Sequence, residues 1–452
     1  MRSIRLLRKR FWTFLRNEEL ILNINCLNKK LSLELDAPPS KSIYHRELIV
    51  RFLSGMCGEK SKGFDPSKLL EFIPGDSVDI KATKECLRAL WKAESGKDVI
   101  LPCHESGSTL RFLITVASAY LTVKGIDQDI ILTTEGRLFD RPLDQLEECL
   151  RDHGVRISRN EEDRTIRVSG RMVPGRFVID GSVSSQFVSG ILMSMPLFDG
   201  DNSVEVTNII SSIHYINLTS AVLRKYGVAS ERDGKTFSSS TGYIAVPEED
   251  FHVEGDWSNG AFLICLGALL RGGGIKVRGL DMDTLQGDAA ILGFLVALGI
   301  KVDAEGDVFT VRDQISERLP LNERPEISWD CKDIPDIVPY MAVMGAFFSK
   351  MTVLKGISRL RIKESDRARA IRKSLVAAGF DVTEKDDSMI IYGGDPKEAA
   401  EGISLSSFND HRMAMVAVMI AAALGSNIEI DDISCLSKSF PGMIDVVKEE
   451  MS

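Results

Sequence analysis

The chain has 452 residues, 44% of them hydrophobic, and a formal charge of −9. That is enough apolar material for two or three packed cores, and it is too acidic overall for a surface built to hold nucleic acid or an anionic membrane. Eight cysteines are scattered without a Cys-x-x-Cys pair, which fits reduced thiols in the cytoplasm and excludes a disulfide framework or a zinc site. The longest apolar run, residues 413–424, is too short to cross a bilayer. Any anion site must therefore be local, built from particular Arg and Lys residues.

Residues 1–20 carry Arg2, Arg5, Arg8, Lys9, Arg10 and Arg16 among Ile, Leu, Phe and Trp, with no acid before Glu18. They read as a basic appendage of unknown role or a start codon assigned too early; a targeting segment is the alternative, without a signal-type apolar core. Beyond them one unit recurs, an amphipathic helix closed by Gly and followed by a short strand, at 143–157, 218–229, 289–302 and 368–382. The closing glycines Gly154, Gly227, Gly299 and Gly379 are 73, 72 and 80 residues apart, and each stands where a left-handed cap is wanted. Weaker copies at 82–91 and 443–449 bring the count to six. Polar turns at 160–163, 305–307 and 385–387 predict hairpins, so the units are α/β with mixed sheets.

A second class of helix is apolar on every side: 110–121, 187–197, 260–270, 338–348 and 413–424. Such helices belong inside domains, beneath sheets and amphipathic helices. Their starts are unusual. In chain order come Pro39-Ser40-Lys41-Ser42 with Arg46, Glu105-Ser106-Gly107-Ser108 with Arg111, Ser182-Val183-Ser184-Ser185-Gln186, and Asn409-Asp410-His411-Arg412. Ser, Asn, Asp and Gly there are ordinary N-caps, as is Asp336 ahead of 338–348. The cations are not ordinary, because a helix N-terminus is itself positive and Arg412 or Lys41 beside it calls for an anion. The stretch Arg359-Leu360-Arg361-Ile362-Lys363-Glu364-Ser365-Asp366-Arg367 concentrates four cations and two carboxylates more before a helix. Arg137 and Arg141 lie in a turn, and Lys438 in Ser437-Lys438-Ser439; alone, each reads as a surface residue.

Three of these segments, 180–187, 361–367 and 409–415, in this order, resemble the signatures of the 5-enolpyruvylshikimate-3-phosphate synthase family of enolpyruvyl transferases, and the likeness runs from about Leu31 to the C-terminus. The resemblance implies transfer of the enolpyruvyl group of phosphoenolpyruvate to the 5-hydroxyl of shikimate 3-phosphate with release of phosphate, on the shikimate pathway to chorismate and the aromatic amino acids. It implies no metal or organic cofactor, no nucleic-acid or membrane partner, and a cytoplasmic monomer. The family fold is two similar domains, each of three βαβαββ-type units, closing on substrates in the cleft between them. Transferred here, residues 37–253 form one domain, and 1–36 with 254–452 the other.

Residue by residue, the resemblance gives Lys41 reach to both substrates and sets Ser42 and Arg46 on the shikimate carboxylate. Ser184, Ser185, Ser212 and Lys363 take the shikimate phosphate and ring, with Gln186 near both substrates. Gly107, Arg137, Arg367, Arg412 and Lys438 form the phosphoenolpyruvate clamp. Asp336 accepts a hydrogen bond from the attacking hydroxyl, and Glu364 moves the proton at the enol carbon. The chemistry suits these types: fixed Arg and Lys donors stabilise crowded phosphates and carboxylates without reorganising, and a carboxyl among them can handle the proton.

The chain departs from the family pattern at Tyr44, Glu105, Ser108, Phe112 and Arg359, of which Glu105 and Arg359 change charge where neutral Asn is common. These bear on substrate affinity and on response to glyphosate. A sister enzyme acting on UDP-N-acetylglucosamine shares the fold, but it carries a Cys before the equivalent of Arg137, and residues 128–136 have none. A non-catalytic anion binder is the other alternative; it would need the cations but not both Asp336 and Glu364.

Overall fold

The computed structural model describes residues 22–25, 30–58, 63–243, 252–396 and 403–451. The basic stretch 1–20 lies outside the described residues. The first part of the chain contains α1 (Lys41–Cys57), α2 (Val78–Trp91), α3 (Gly107–Val123), α4 (Asp144–Arg151), α5 (Ser185–Ser194) and α6 (Ile213–Lys225). The second contains α7 (Trp257–Leu269), α8 (Ile291–Ala297), α9 (Val338–Phe348), α10 (Arg367–Ala377), α11 (His411–Leu424) and α12 (Gly442–Glu450).

The recurring unit is visible around α9 and α10. Strand Glu326–Asp330 runs parallel to Met351–Lys355, and parallel neighbours need a crossover, here α9. After α10 comes the hairpin Val382–Glu384 and Ser388–Tyr392, whose second strand returns antiparallel to Met351–Lys355. The same βαβαββ order recurs in three more four-stranded sheets. One holds Val99–Pro102, Ile130–Thr133, Val155–Asn160 and Thr165–Gly170 with α3 and α4. The next holds Arg176–Asp180, Asn202–Thr207, Ser230–Asp233 and Thr236–Ser239 with α5 and α6. The last holds Ser32–Asp36, Gly274–Arg278, Asp303–Glu305 and Val308–Arg312 with α7 and α8.

The crossover helices are the apolar ones. Every residue of α7 and of α9 is buried, because one side lies on its sheet and the others meet neighbouring helices. The amphipathic helices α4 and α10 precede the hairpins, and the glycines after α4, α6, α8 and α10 (Gly154, Gly227, Gly299 and Gly379) have φ of 77°, 78°, 78° and 91°. A side chain is strained in that region, so Gly stops each helix and turns the chain into its strand.

Two details differ from the periodicity. The stretch 289–302 supplies only the seven-residue α8, entered through a 3-10 turn at Gly287–Ala290 where Asp288 turns inward to the hydroxyl of Ser258. The expected six copies are four complete units, a three-stranded sheet of Leu22–Asn25, Asn427–Ile430 and Ile403–Leu405, and the pair α1 and α2, which has no sheet of its own among the described residues.

Buried apolar side chains fall into two clusters, one drawn from residues 43–243 and one from Ile24 and residues 257–451. The N-terminal end of the chain belongs with the second: Ser32–Asp36 pairs with Gly274–Arg278, and Leu22–Asn25 with Asn427–Ile430. No helix among the described residues is long and apolar enough to cross a membrane, and their seven cysteines are free thiols.

Candidate active site

A cavity of about 920 Å3, open solvent at its mouth included, lies between the two clusters, and the N-terminal ends of α1, α3, α5, α6, α7, α10 and α11 all reach it. So many converging helix starts give it a positive field before any side chain is counted. Local capping sets several of them. Ser106, Ser184 and Asp410 accept hydrogen bonds from the backbone N–H groups of Thr109, Gln186 and Arg412. α1 is capped differently: Ser40 donates to Gln286 at 2.9 Å, and Asp256, at the start of α7, accepts from Lys41 N at 3.0 Å.

Eight cations line the cavity (Lys41, Arg46, Arg111, Arg141, Arg359, Lys363, Arg367 and Arg412) against four carboxylates (Asp79, Asp256, Asp336 and Glu364), a surplus of four positive charges in a chain of net −9. His411 adds none, since burial, helped by Arg412 and Lys41, holds its imidazole well below its ordinary pKa.

The cations are held in two ways. Arg46 is buried and bonded only to neutral oxygens: Nε to Thr219 Oγ1 at 2.7 Å, Nη1 to Ser42 O at 2.6 Å, and Nη2 to Tyr215 O at 2.9 Å. Burial brings its pKa down to about 10. Arg111 donates to Gln186 Oε1 at 3.1 Å and stands beside Arg141, so burial and that neighbour drive its pKa well down. Arg367 is also buried but is gripped by acids: Asp410 Oδ2 at 2.8 Å, Asp336 Oδ1 at 2.7 Å and Glu364 Oε2 at 2.6 Å. Lys41 pairs with Asp79 at 2.8 Å.

Asp336 does not cap α9. Its Oδ1 accepts from Lys363 at 3.2 Å as well as from Arg367, and its Oδ2 from Tyr215 Oη at 3.0 Å. Burial opposes its charge, but Lys363, Arg367 and Arg412 outweigh burial and hold it well below the usual carboxylate range. Glu364 is likewise held ionised against burial, by Arg367 first, then Arg141 and Lys363. Burial takes Lys363 down to about 8. Behind the wall, burial and then Asp336 push Asp288 up to about 7.

Of the residues singled out in the sequence, Lys41, Ser42, Arg46, Gly107, Ser184, Ser185, Gln186, Ser212, Asp336, Lys363, Glu364, Arg367 and Arg412 share this cavity. Arg137 and Lys438 do not. They line a smaller neighbouring recess with Arg141 and Glu364, where Lys438 is ion-paired with Glu105 and donates to Asn409 O at 2.8 Å. Arg141 comes closer in its place, lying against Gly107, where an added Cβ would collide with its guanidinium. The cavity is also lined by Arg111 and His411, which the helix starts contained without an assigned role, and by Tyr215, Asp79 and Asp256, which the sequence did not single out. Arg111 carried a signal, a cation in an apolar helix start, as Arg412 does; Tyr215 carried none. Among the described residues no group of three His, Cys, Asp or Glu side chains is placed to hold a metal ion.

Fold and cleft together define an α/β protein of repeated βαβαββ units with a cation-lined cavity between two cores. The chain belongs to the EPSP synthase (3-phosphoshikimate 1-carboxyvinyltransferase) family, whose model matches residues 27–447. It is 33% identical to the 3-phosphoshikimate 1-carboxyvinyltransferase of Clostridium kluyveri over 428 residues, covering 91% of this chain and 93% of that one. It is 31% identical to that of Clostridium novyi over 443 residues, covering 93% and 95%. Among solved structures, EPSP synthase from Acinetobacter baumannii superposes with a TM-score of 0.66 at 21% identity, covering 95% of this chain and 98% of that one. The enolpyruvyl transferase NikO from Streptomyces tendae gives 0.64 at 14% identity, covering 95% and 97%. These two likenesses concern the fold.

Proposed function

We propose that this chain is an enzyme that transfers the enolpyruvyl group of phosphoenolpyruvate to the 5-hydroxyl of shikimate 3-phosphate, releasing phosphate, and that the cleft is where it does so. The observation that carries this reading is the surplus of four cations in a cavity that also holds two ionised carboxylates. Two substrates that each bring a phosphate and a carboxylate supply the missing counter-charge.

The two substrates divide the cavity. Ser184, Ser185, Ser212 and Lys363 face the shikimate phosphate, and Ser42 and Arg46 the shikimate carboxylate. Phosphoenolpyruvate takes the side of Gly107, Gln186, Arg367 and Arg412, with Arg141 in the cavity and Arg137 and Lys438 in the adjoining recess. Lys41 reaches both. Asp336, ionised and already accepting three bonds, orients the 5-hydroxyl and takes its proton as the oxygen attacks, and a proton leaves with the phosphate. Glu364 delivers the proton to the methylene carbon and takes one back on elimination. Its charged form is favoured by Arg367 and Arg141. Phosphoenolpyruvate neutralises those two cations on arrival, which raises the Glu364 pKa at the moment a proton is needed.

Residues 37–253 form one domain, and 1–36 with 254–452 the other, a division supported by the two separate apolar clusters. The domains close on the substrates, a reading supported by cross-cleft bonds such as Ser212 N to Asp333 at 2.6 Å and Tyr215 to Asp336. The enzyme works as a cytoplasmic monomer. Purified protein given both substrates at millimolar concentration releases inorganic phosphate; folded protein that releases none refutes the assignment.

A further inference from the structure

Arg359, like Arg46, is bonded only to neutral oxygens, but it reaches them from the other side of the cleft. It sits in the 3-10 turn Ser358–Ile362, on the side of the second apolar cluster, yet both its hydrogen bonds cross the cleft. Nη1 donates to Ser212 Oγ at 2.6 Å and Nε to Val183 O at 3.3 Å. Val183 immediately precedes the Ser184 cap of α5. Ser212 stands at the start of α6 with φ of 54° and makes no capping bond with its side chain. The guanidinium thus holds the two loops that present Ser184, Ser185 and Ser212 to the cavity.

Both acceptors are neutral, and among the described residues no carboxylate forms an ion pair with Arg359. The nearby acids are engaged elsewhere, Asp336 by Lys363 and Arg367, and Asp333 by the N–H of Ser212. Burial lowers the Arg359 pKa, partly offset by Asp336 and Tyr215. A guanidinium has five N–H donors in a planar fork, and neutral acceptors take only two of these. Arg359 also forms the wall between the main cavity and an outer groove lined by Ser182, Ser211, Lys332 and Lys355, so an anion reaching it lies at the edge of the cavity beside Ser184 and Ser212.

We propose that Arg359 is a substrate-binding residue that recognises the phosphate of shikimate 3-phosphate together with Ser184, Ser185, Ser212 and Lys363, spanning both sides of the cleft. The phosphate supplies the counter-charge the protein withholds, and the substrate's phosphorylation state is thereby read by a residue that also joins the two halves. This rests on the reading of the cleft given above.

Steady-state kinetics on Arg359→Gln and Arg359→Lys separate the two. If the unaltered enzyme releases no phosphate from the substrate pair, the reading of the cleft falls, whatever the variants do. If it turns over, Arg359→Gln raises KM for shikimate 3-phosphate about ten- to one-hundred-fold, the loss expected of charge-assisted bonds. KM for phosphoenolpyruvate and kcat then move by less than about threefold, and Arg359→Lys recovers part of the loss. A KM for shikimate 3-phosphate within about twofold of the unaltered enzyme overturns the proposal, as does an equal rise in both KM values, which marks a merely structural role. Should Arg359→Gln fail to fold, Arg359→Lys decides: it keeps the charge but not the fork, and a selective rise in KM for shikimate 3-phosphate supports the proposal while none overturns it.

Discussion

Arg46 and Arg367 are both nearly inaccessible to solvent, at 2% and 1%, and they face one cavity from opposite sides. Arg46 is surrounded by hydroxyls and carbonyls, and Arg367 by three carboxylates. A buried cation among neutral acceptors keeps most of its attraction for an incoming anion, at a cost in burial that its lowered pKa records. A buried cation among acids has much of its charge met within the protein and fixes those acids in place. On the proposed reading, one side of the cleft keeps its charge for the shikimate carboxylate, and the other divides it between fixing Asp336 and Glu364 and meeting phosphoenolpyruvate.

The widest break in this comparison is Arg367→Met, which leaves Asp410, Asp336 and Glu364 without their shared partner. Removing one member of a buried ionic cluster costs about 3–5 kcal/mol, read as a fall in the urea midpoint at unchanged m-value, and phosphate release disappears with it. Glu364→Gln comes next. It keeps shape and bonding but cannot pass a proton, so kcat falls about 10²- to 10⁴-fold while substrate affinity moves little; equal losses in both make Glu364 a positioning group instead.

Arg46→Met sharpens the contrast from the other side. Thr219, Ser189 and Tyr215 O remain bonded to one another without it, so stability stays within about 1–2 kcal/mol of the parent, whereas KM for shikimate 3-phosphate rises about ten- to one-hundred-fold. A stability loss matching that of Arg367→Met would erase the distinction.

The smallest effect is in pH. Lys363 has its pKa lowered to about 8 by burial, and a bound phosphate raises it again. The complex therefore holds the Lys363 proton to higher pH than the free enzyme. Affinity for shikimate 3-phosphate is flat below about pH 8 and falls up to about tenfold per pH unit above it. Titration calorimetry across about pH 6.5 to 9.5 reads this slope, and Lys363→Arg flattens it.

Much of the architecture could be read locally. The four glycines at left-handed caps, the all-round apolar helices and the hairpin turns are short-range consequences of side-chain size, branching and backbone freedom, and the chain writes them at intervals that betray the repeat. The cationic helix starts were equally legible, because a positive side chain at a positive helix end needs an explanation wherever it occurs.

What the sequence could not decide are the partners those groups find across the fold. Ser40 looked like the cap of α1, and Asp256, 215 positions beyond Lys41, does that work. Asp336 looked like a cap of α9 and instead collects Tyr215, Lys363 and Arg367. Arg137 and Arg141 were indistinguishable in their turn, and only the packing against Gly107 brings Arg141 into the cavity. The sequence by itself determined the repeating unit, the buried helices and the cations at their starts. Tertiary structure alone decided which cations are satisfied and which are left for the substrate, because hydrogen bonds between loops far apart in the chain depend on where the sheets carry them and not on any neighbour within a helical turn.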